Sequence, residues 1–156
     1  MSDDLTLTFD DKDLMRQLDE LEETVRNEGV SKGLSAAANY LVGQIKINIV
    51  SRKLVDTGNL WSSVTVEEIH LGSEPYVEFG PHTVYAAIHE FGGIILPIKG
   101  PFLWFIGEDG HLIRTKSVHM PARPYLRPAL DEHGDEAIEL LRSTIGGIIE
   151  VNWKNQ

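Results

Sequence analysis

Val64-Thr65-Val66-Glu67-Glu68-Ile69-His70-Leu71-Gly72-Ser73-Glu74-Pro75-Tyr76-Val77-Glu78-Phe79 is the stretch on which the fold turns. Its two ends are rich in β-branched and aromatic residues set between polar ones. The centre, Gly72 to Pro75, has turn chemistry, so the whole reads as an antiparallel hairpin. Upstream the period changes from two to about 3.6. Ser31 is placed to cap a helix in which Leu34, Ala37, Ala38, Leu41, Ile45 and Ile49 share one apolar face, with alanines small enough for close packing. The polar run Ser51 to Asn59 ends that helix. Earlier still, Leu5 to Phe9 reads as a short strand, and Asp10, Asp11 and Asp13 can cap a first helix carrying Leu14, Leu18, Leu21 and Val25. Gly29 is expected to interrupt it.

Downstream of the hairpin, Thr83 to Phe91 is helix-compatible and Gly92-Gly93 stops it. Ile94 to Ile98 and Pro101 to Ile106 read as extended, Gly107 to Gly110 as a turn, and His111 to Met120 as a further strand. Pro121, Pro124 and Pro128 remove backbone donors and hold the following stretch extended, across a surface or along an edge. From Asp131 to Ile149 helical spacing returns through Ala137, Leu140, Leu141, Ile145 and Ile148. The expected class is α+β: N-terminal helices packed on a twisted antiparallel sheet, with an extended hairpin or arm and a C-terminal helix. A chain of 156 residues, 42% hydrophobic, suits one core. One domain, 1–156, is expected, with a strand and helices over 1–50, sheet and loops over 55–130, and the last helix over 131–150.

Composition excludes several classes. There is no cysteine, hence no disulfide framework or zinc-thiolate site. No apolar run reaches the roughly 20 residues of a membrane span, and Met1 to Asp4 is acidic where a signal peptide would be basic. The formal charge of -10 argues against sequence-independent binding to nucleic acid, which depends on Lys and Arg. Met1 to Glu28 holds 10 Asp and Glu against 3 Lys and Arg. That acid is either the solvated face of a helix, a surface that meets a basic partner ring, or one past which DNA slides.

The only grouping that invites catalysis or metal binding is His89-Glu90, with His82 and His119 on either side. A metalloprotease helix places two histidines four apart around a glutamate, and His82 and His89 are seven apart. A structural His-Glu pair is the plainer reading. Ser62 and Ser63 lack a nucleophile elbow, and no phosphate or dinucleotide fingerprint is present. No enzyme and no cofactor are expected. Arg123, Tyr125 and Arg127 alternate along the expected extended segment and so share a side. One arginine is expected inside, pairing with Glu90 or Asp56, and the other at an interface. The apolar arm Phe102 to Ile106, with Trp104 and Phe105, needs cover from the core or from a neighbouring subunit.

Three segments carry a resemblance in their order. Asp56, Thr57, Gly58, Asn59 and Leu60 form a turn-rich corner. Tyr85, Ala86, Glu90, Phe91 and Gly92 follow, and then Ala122, Arg123, Pro124, Leu126, Pro128 and Ala129, with Tyr125 where phenylalanine is usual and Trp61 where arginine is frequent. Over Val55 to Leu130 the chain resembles the head-to-tail joining and tail-completion proteins of tailed bacteriophages, the neck or minor tail components of siphophages, and the virion-morphogenesis proteins of Mu-like phages. The resemblance implies a structural virion protein made in the host cytoplasm. It would form a homo-oligomeric, hexameric ring between the head connector or adaptor and the tail tube or terminator, with no cofactor. The genome passes through such a ring without sequence-specific contact. The alternatives are a non-structural assembly factor and a metal-dependent hydrolase built on His89-Glu90.

Overall fold

Leu34, Ala37, Ala38, Leu41, Ile45 and Ile49 recur three and four apart, and a helix is the conformation that puts them on one side. In a computed structural model, which describes residues 5–8, 12, 16, 19, 23–107 and 109–154, all six are buried along helix α1, Glu23–Ser51. The helix runs unbroken through Gly29 and Ser31, where an interruption and a cap were expected. At Gly29 a Cβ would make ordinary contact with Ile148 Cγ2 at 3.7 Å, whereas one at Gly33 would lie 2.9 Å from Ile145 Cγ1 and 3.2 Å from the Leu141 carbonyl oxygen. Gly33 therefore lets a second helix approach the α1 backbone closely. The expected first helix with its Asp10, Asp11 and Asp13 caps lies largely outside the described residues.

The chain divides into two compact units, Met1–Thr83 with Tyr125–Gln156, and Val84–Pro124. In the first, α1 is followed by the short helix α2 (Asn59–Ser63), then by strands β2 (Val64–His70) and β3 (Tyr76–Pro81), which pair antiparallel as expected. Strand β1 (Leu5–Thr8) adds to the other edge of β3, from Leu5 opposite Phe79 to Thr8 opposite Tyr76, giving the order β1-β3-β2. Val66 faces Phe79 and Ile69 faces Val77, so β2 spends one more residue than β3 between these pairs. That is a β-bulge at Glu67-Glu68, the point where two consecutive polar residues shift the alternation. Val64, Val77 and Phe79 are buried, and α1 packs on β2 and β3.

The unit is completed by the C-terminal helix, Leu126–Lys154. It starts five residues before the expected Asp131. Pro128 sits in its first turn, where a missing N–H costs nothing because the first four donors have no helical acceptor. Contacts pair Gly33 with Ile145, Tyr40 with His133 and Asn48 with Tyr125, so this helix runs antiparallel to α1. Ala129, Ala137, Leu141 and Ile145 are its buried positions.

The second unit holds helix α3 (Ala86–Phe91) and strands β4 (Gly93–Ile95), β5 (Leu103–Ile106), β6 (Leu112–Thr115) and β7 (Val118–Met120); the C-terminal helix is therefore α4 in chain order. β4 pairs with β7 and β5 with β6, both antiparallel. The strand expected over His111 to Met120 is two strands. Thr115 Oγ1 donates to the Ser117 carbonyl at 2.8 Å and accepts from the Ser117 N–H at 3.4 Å, a local side-chain turn that redirects the chain. The strand expected over Ile94 to Ile98 ends at Ile95, one residue before Leu96-Pro97, where a donor is lost. The class is α+β, with three small antiparallel sheets where one twisted sheet was expected.

Candidate functional site

The Asp56 to Leu60 corner is built on one backbone requirement. Gly58 has φ 81°, and a Cβ there would meet nothing within 4 Å, so its conformation rather than crowding selects glycine. Its carbonyl accepts from Ser62 N–H at 2.9 Å and starts α2, while Thr57 Oγ1 accepts from Asn59 N–H at 3.5 Å. Leu60 is buried beneath, and Asp56, Thr57 and Asn59 face solvent. Beside the corner Lys46 Nζ lies 4.5 Å from the Trp61 ring centroid, so an indole and a cation share this exposed position.

The second and third segments meet within Val84–Pro124. Gly92 caps α3 by donating its N–H to the Ile88 carbonyl at 3.0 Å, and Arg123 N–H donates to the His89 carbonyl at 2.7 Å. A Cβ on Gly92 would sit 2.6 Å from Ala122 N and 2.9 Å from the Met120 carbonyl oxygen. With φ 70° and ψ −174°, Gly92 has a conformation open essentially to glycine alone. Tyr85, Phe91 and Arg123 are exposed, Pro124 is half-buried and Glu90 is 5% exposed. The Arg123 backbone ties its segment to α3 at His89.

The histidines do not assemble a reaction centre. His82 Nε2 meets Thr65 Oγ1 at 3.1 Å and Glu67 Oε1 at 3.3 Å, and His119 lies opposite Ile94 in the β4–β7 ladder. His89 has Nδ1 buried without a hydrogen-bond partner and the Tyr85 ring edge-on at 5.9 Å. Burial first, and then the charge of Arg123, push the His89 pKa down from its usual 6.5. Consecutive helical residues point about 100° apart, so His89 and Glu90 face different ways. Among the described residues no three His, Asp or Glu side chains gather as a metal site, and no helix is long and apolar enough to cross a membrane.

Of the expected interface residues, Trp104 and Phe105 are 59% and 39% exposed. Tyr125 is fully buried, and its carbonyl accepts from Asn48 Nδ2 at 3.1 Å, so it is a core residue and no surface anchor. Arg127 is exposed on the first turn of α4. The expected alternation of Arg123, Tyr125 and Arg127 along one extended segment therefore fails, because the helix begins at Leu126.

What sequence reading misses is the setting of Arg114. It lies across the ladder from Trp104, and its guanidinium sits 3.6 Å from the Phe102 ring centroid and 5.4 Å from that of Trp104. This stacked cation sits in a unit crowded with uncovered apolar side chains: Val84, Phe91, Ile94, Leu96, Ile98, Trp104, Ile106 and Leu112 are all exposed. Exposed apolar side chains in such number within one unit point to a place of association.

An α+β chain with this many exposed apolar side chains in one unit fits the class of proteins that bind other proteins. The family model described as "Bacteriophage HK97-gp10, putative tail-component" matches residues 12–92, just over half of the chain. The protein belongs to this HK97-gp10-like family of phage tail components. The match takes in the corner at Asp56 and the Tyr85 to Gly92 segment, and stops short of the β5–β6 hairpin and the Arg123 segment. No curated protein and no solved structure matches the chain.

Proposed function

We propose that this tail component is a structural protein of the neck or tail end. It forms a ring, six copies in the reading we favour, that completes the tail and joins it to the head connector. The observation that carries the proposal is the apolar surface of Val84–Pro124 on a chain of the HK97-gp10-like family. Its work is contact: on one side the connector or adaptor, on the other the tail tube or terminator, with the genome passing through. Assembly takes place in the host cytoplasm, and the protein stays in the virion. A closed ring of identical subunits requires two different complementary patches on each chain, and a strongly acidic chain with an apolar, slightly basic segment supplies both kinds of surface. Quantitative mass spectrometry of gradient-purified virions tests this reading. One ring's worth of copies per particle is expected; absence from otherwise complete particles would identify an assembly factor instead.

A further inference from the structure

The β5–β6 hairpin has no face that suits water. Its register sets Trp104 against Arg114 and Ile106 against Leu112 on one side, and Phe105 against Ile113 on the other. On the first side Trp104, Ile106 and Leu112 are 59, 72 and 66% exposed. The Arg114 guanidinium lies over the Phe102 and Trp104 rings, and a guanidinium, with five N–H donors, can pair with a carboxylate while in contact with a ring. The turn is fixed by Gly110 N–H to the Gly107 carbonyl and His111 N–H to Asp109 Oδ1, at 2.9 and 3.0 Å. Aromatic and arginine side chains presented together are the usual anchors of a protein interface.

The other unit offers a matching concavity. A cleft of about 260 Å³ between α1 and the β2–β3 turn is lined by the apolar Val30, Leu71 and Pro75 together with the polar Asp19, Glu23, Arg26 and Asn27. This volume is below the roughly 300–1,000 Å³ of small-molecule sites, and fits a side-chain anchor better than a cofactor. Arg26 Nη1 meets Asp19 Oδ1 at 3.2 Å, and a carboxylate accepts more than one such bond. Charge also points one way. Val84–Pro124 contains four Lys and Arg against three Asp and Glu, a formal +1 within a chain of -10, so the other unit carries the entire negative excess.

We infer that the β5–β6 hairpin is an intersubunit arm that seats Trp104 in the Val30–Leu71–Pro75 cleft of a second copy of this chain, with Arg114 facing that copy's Asp19 and Glu23. The inference rests on the ring reading above and makes its contact head-to-tail. Hairpin and cleft are different surfaces, so each copy gives one and receives one. Opposite charge sets the direction of docking, and buried aromatic area sets its strength.

Absence of cysteine makes the test clean. In an Ile106→Cys, Ser73→Cys double variant, mild oxidation is expected to produce a covalent ladder on denaturing gels, whereas a mixture of the two single variants stops at dimers. Adding Trp104→Ala should weaken self-association and ladder formation roughly tenfold or more, the size of an interface anchor. Arg114→Glu should do likewise, with Glu23→Arg restoring the ladder, and circular dichroism would show each variant folded. Sedimentation of the unmodified protein separates the two levels of the argument. Oligomers without a ladder would overturn the arm and leave the ring; monomers at every concentration, with no ladder, would remove both. A ladder indifferent to Trp104→Ala would overturn its role as anchor.

Discussion

Val84–Pro124 and the rest of the chain use apolar side chains in opposite ways. Outside it, Leu34, Leu41, Ile45, Phe79, Leu141 and Ile145 are sealed between α1, α4 and the β1-β3-β2 sheet. Inside it, Ala86 is the one buried hydrophobic residue among those described, while Trp104, Ile106, Leu112 and Ile98 stand in solvent. The first arrangement stabilises a fold. The second leaves its apolar side chains uncovered in the single chain, which is the basis of the assembly surface proposed above.

Core truncation is the severest way to break the contrast. Leu41→Ala should cost about 2–5 kcal/mol of unfolding free energy, since a fully buried leucine between two helices and a sheet leaves a cavity that collapses only in part. Urea unfolding followed by circular dichroism reads this directly. In the other unit the largest effect comes from the backbone. Gly92→Ala forces a Cβ toward Ala122 N and the Met120 carbonyl in a conformation that L residues avoid, at about 1–3 kcal/mol. Faster proteolysis within residues 93–124, with the α1 core still protected, is the expected signature.

Two glycines of α1 give a finer comparison. Replacing glycine by alanine inside a helix gains about 0.5–1 kcal/mol. Gly43 has nothing within 4 Å of its would-be Cβ, so Gly43→Ala should raise stability by that amount. At Gly33 the same gain meets overpacking of about 1–3 kcal/mol against Ile145 and the Leu141 carbonyl. Gly33→Ala should therefore be the less stable of the two by at least about 1 kcal/mol in parallel denaturant titrations. Trp104→Ala should change monomer stability by no more than about 0.5 kcal/mol, as exposed positions do. If it destabilised the monomer as Leu41→Ala does, the hairpin would be part of the core and the contrast would be lost.

How far these features could be read in advance depends on their range. The hairpin, α1 and most of α4 were legible because periods of two and 3.6 are local properties. Gly29 was misread because a lone glycine is both a stop signal and a tolerated helix-interior residue, and α1 runs through it. Tyr125 was placed in an extended arm on the strength of three prolines, although Pro128 also fits the first turn of a helix. The bulge went unread, although two polar residues in succession at Glu67-Glu68 break the alternation. The Arg114 stack depends on cross-strand register, and the contact of Tyr40 with Glu136 spans 96 positions, so neither leaves a local trace.

That contact yields the smallest effects and separates the two units by pH. Between α1 and α4 the Tyr40 hydroxyl donates to Glu136 Oε2, with His133 Nδ1 3.2 Å from the hydroxyl and 3.3 Å from the carboxylate. Tyr40 is raised above its usual 10.0, chiefly by the hydrogen bond to Glu136, with Gln44 opposing. Glu136 is lowered below its usual 4.5 by Tyr40 first and His133 second. A depressed carboxylate contributes stability above about pH 4.5 that fades as pH falls through its folded value, and a raised phenol contributes below about pH 10 that fades as pH rises through its own. Tyr40→Phe should flatten both limbs of the melting-temperature profile. His89 has the opposite sense from a salt-bridged histidine. Lowered from 6.5, it favours the folded form when neutral, so its contribution is complete above about pH 6.5 and declines as pH falls below that. On acidification Val84–Pro124 should thus loosen before the α1–α4 contact does, and His89→Asn should remove the earlier transition alone. Histidine and tyrosine NMR titrations alongside thermal melts would show the order, and a single shared acid transition would contradict it.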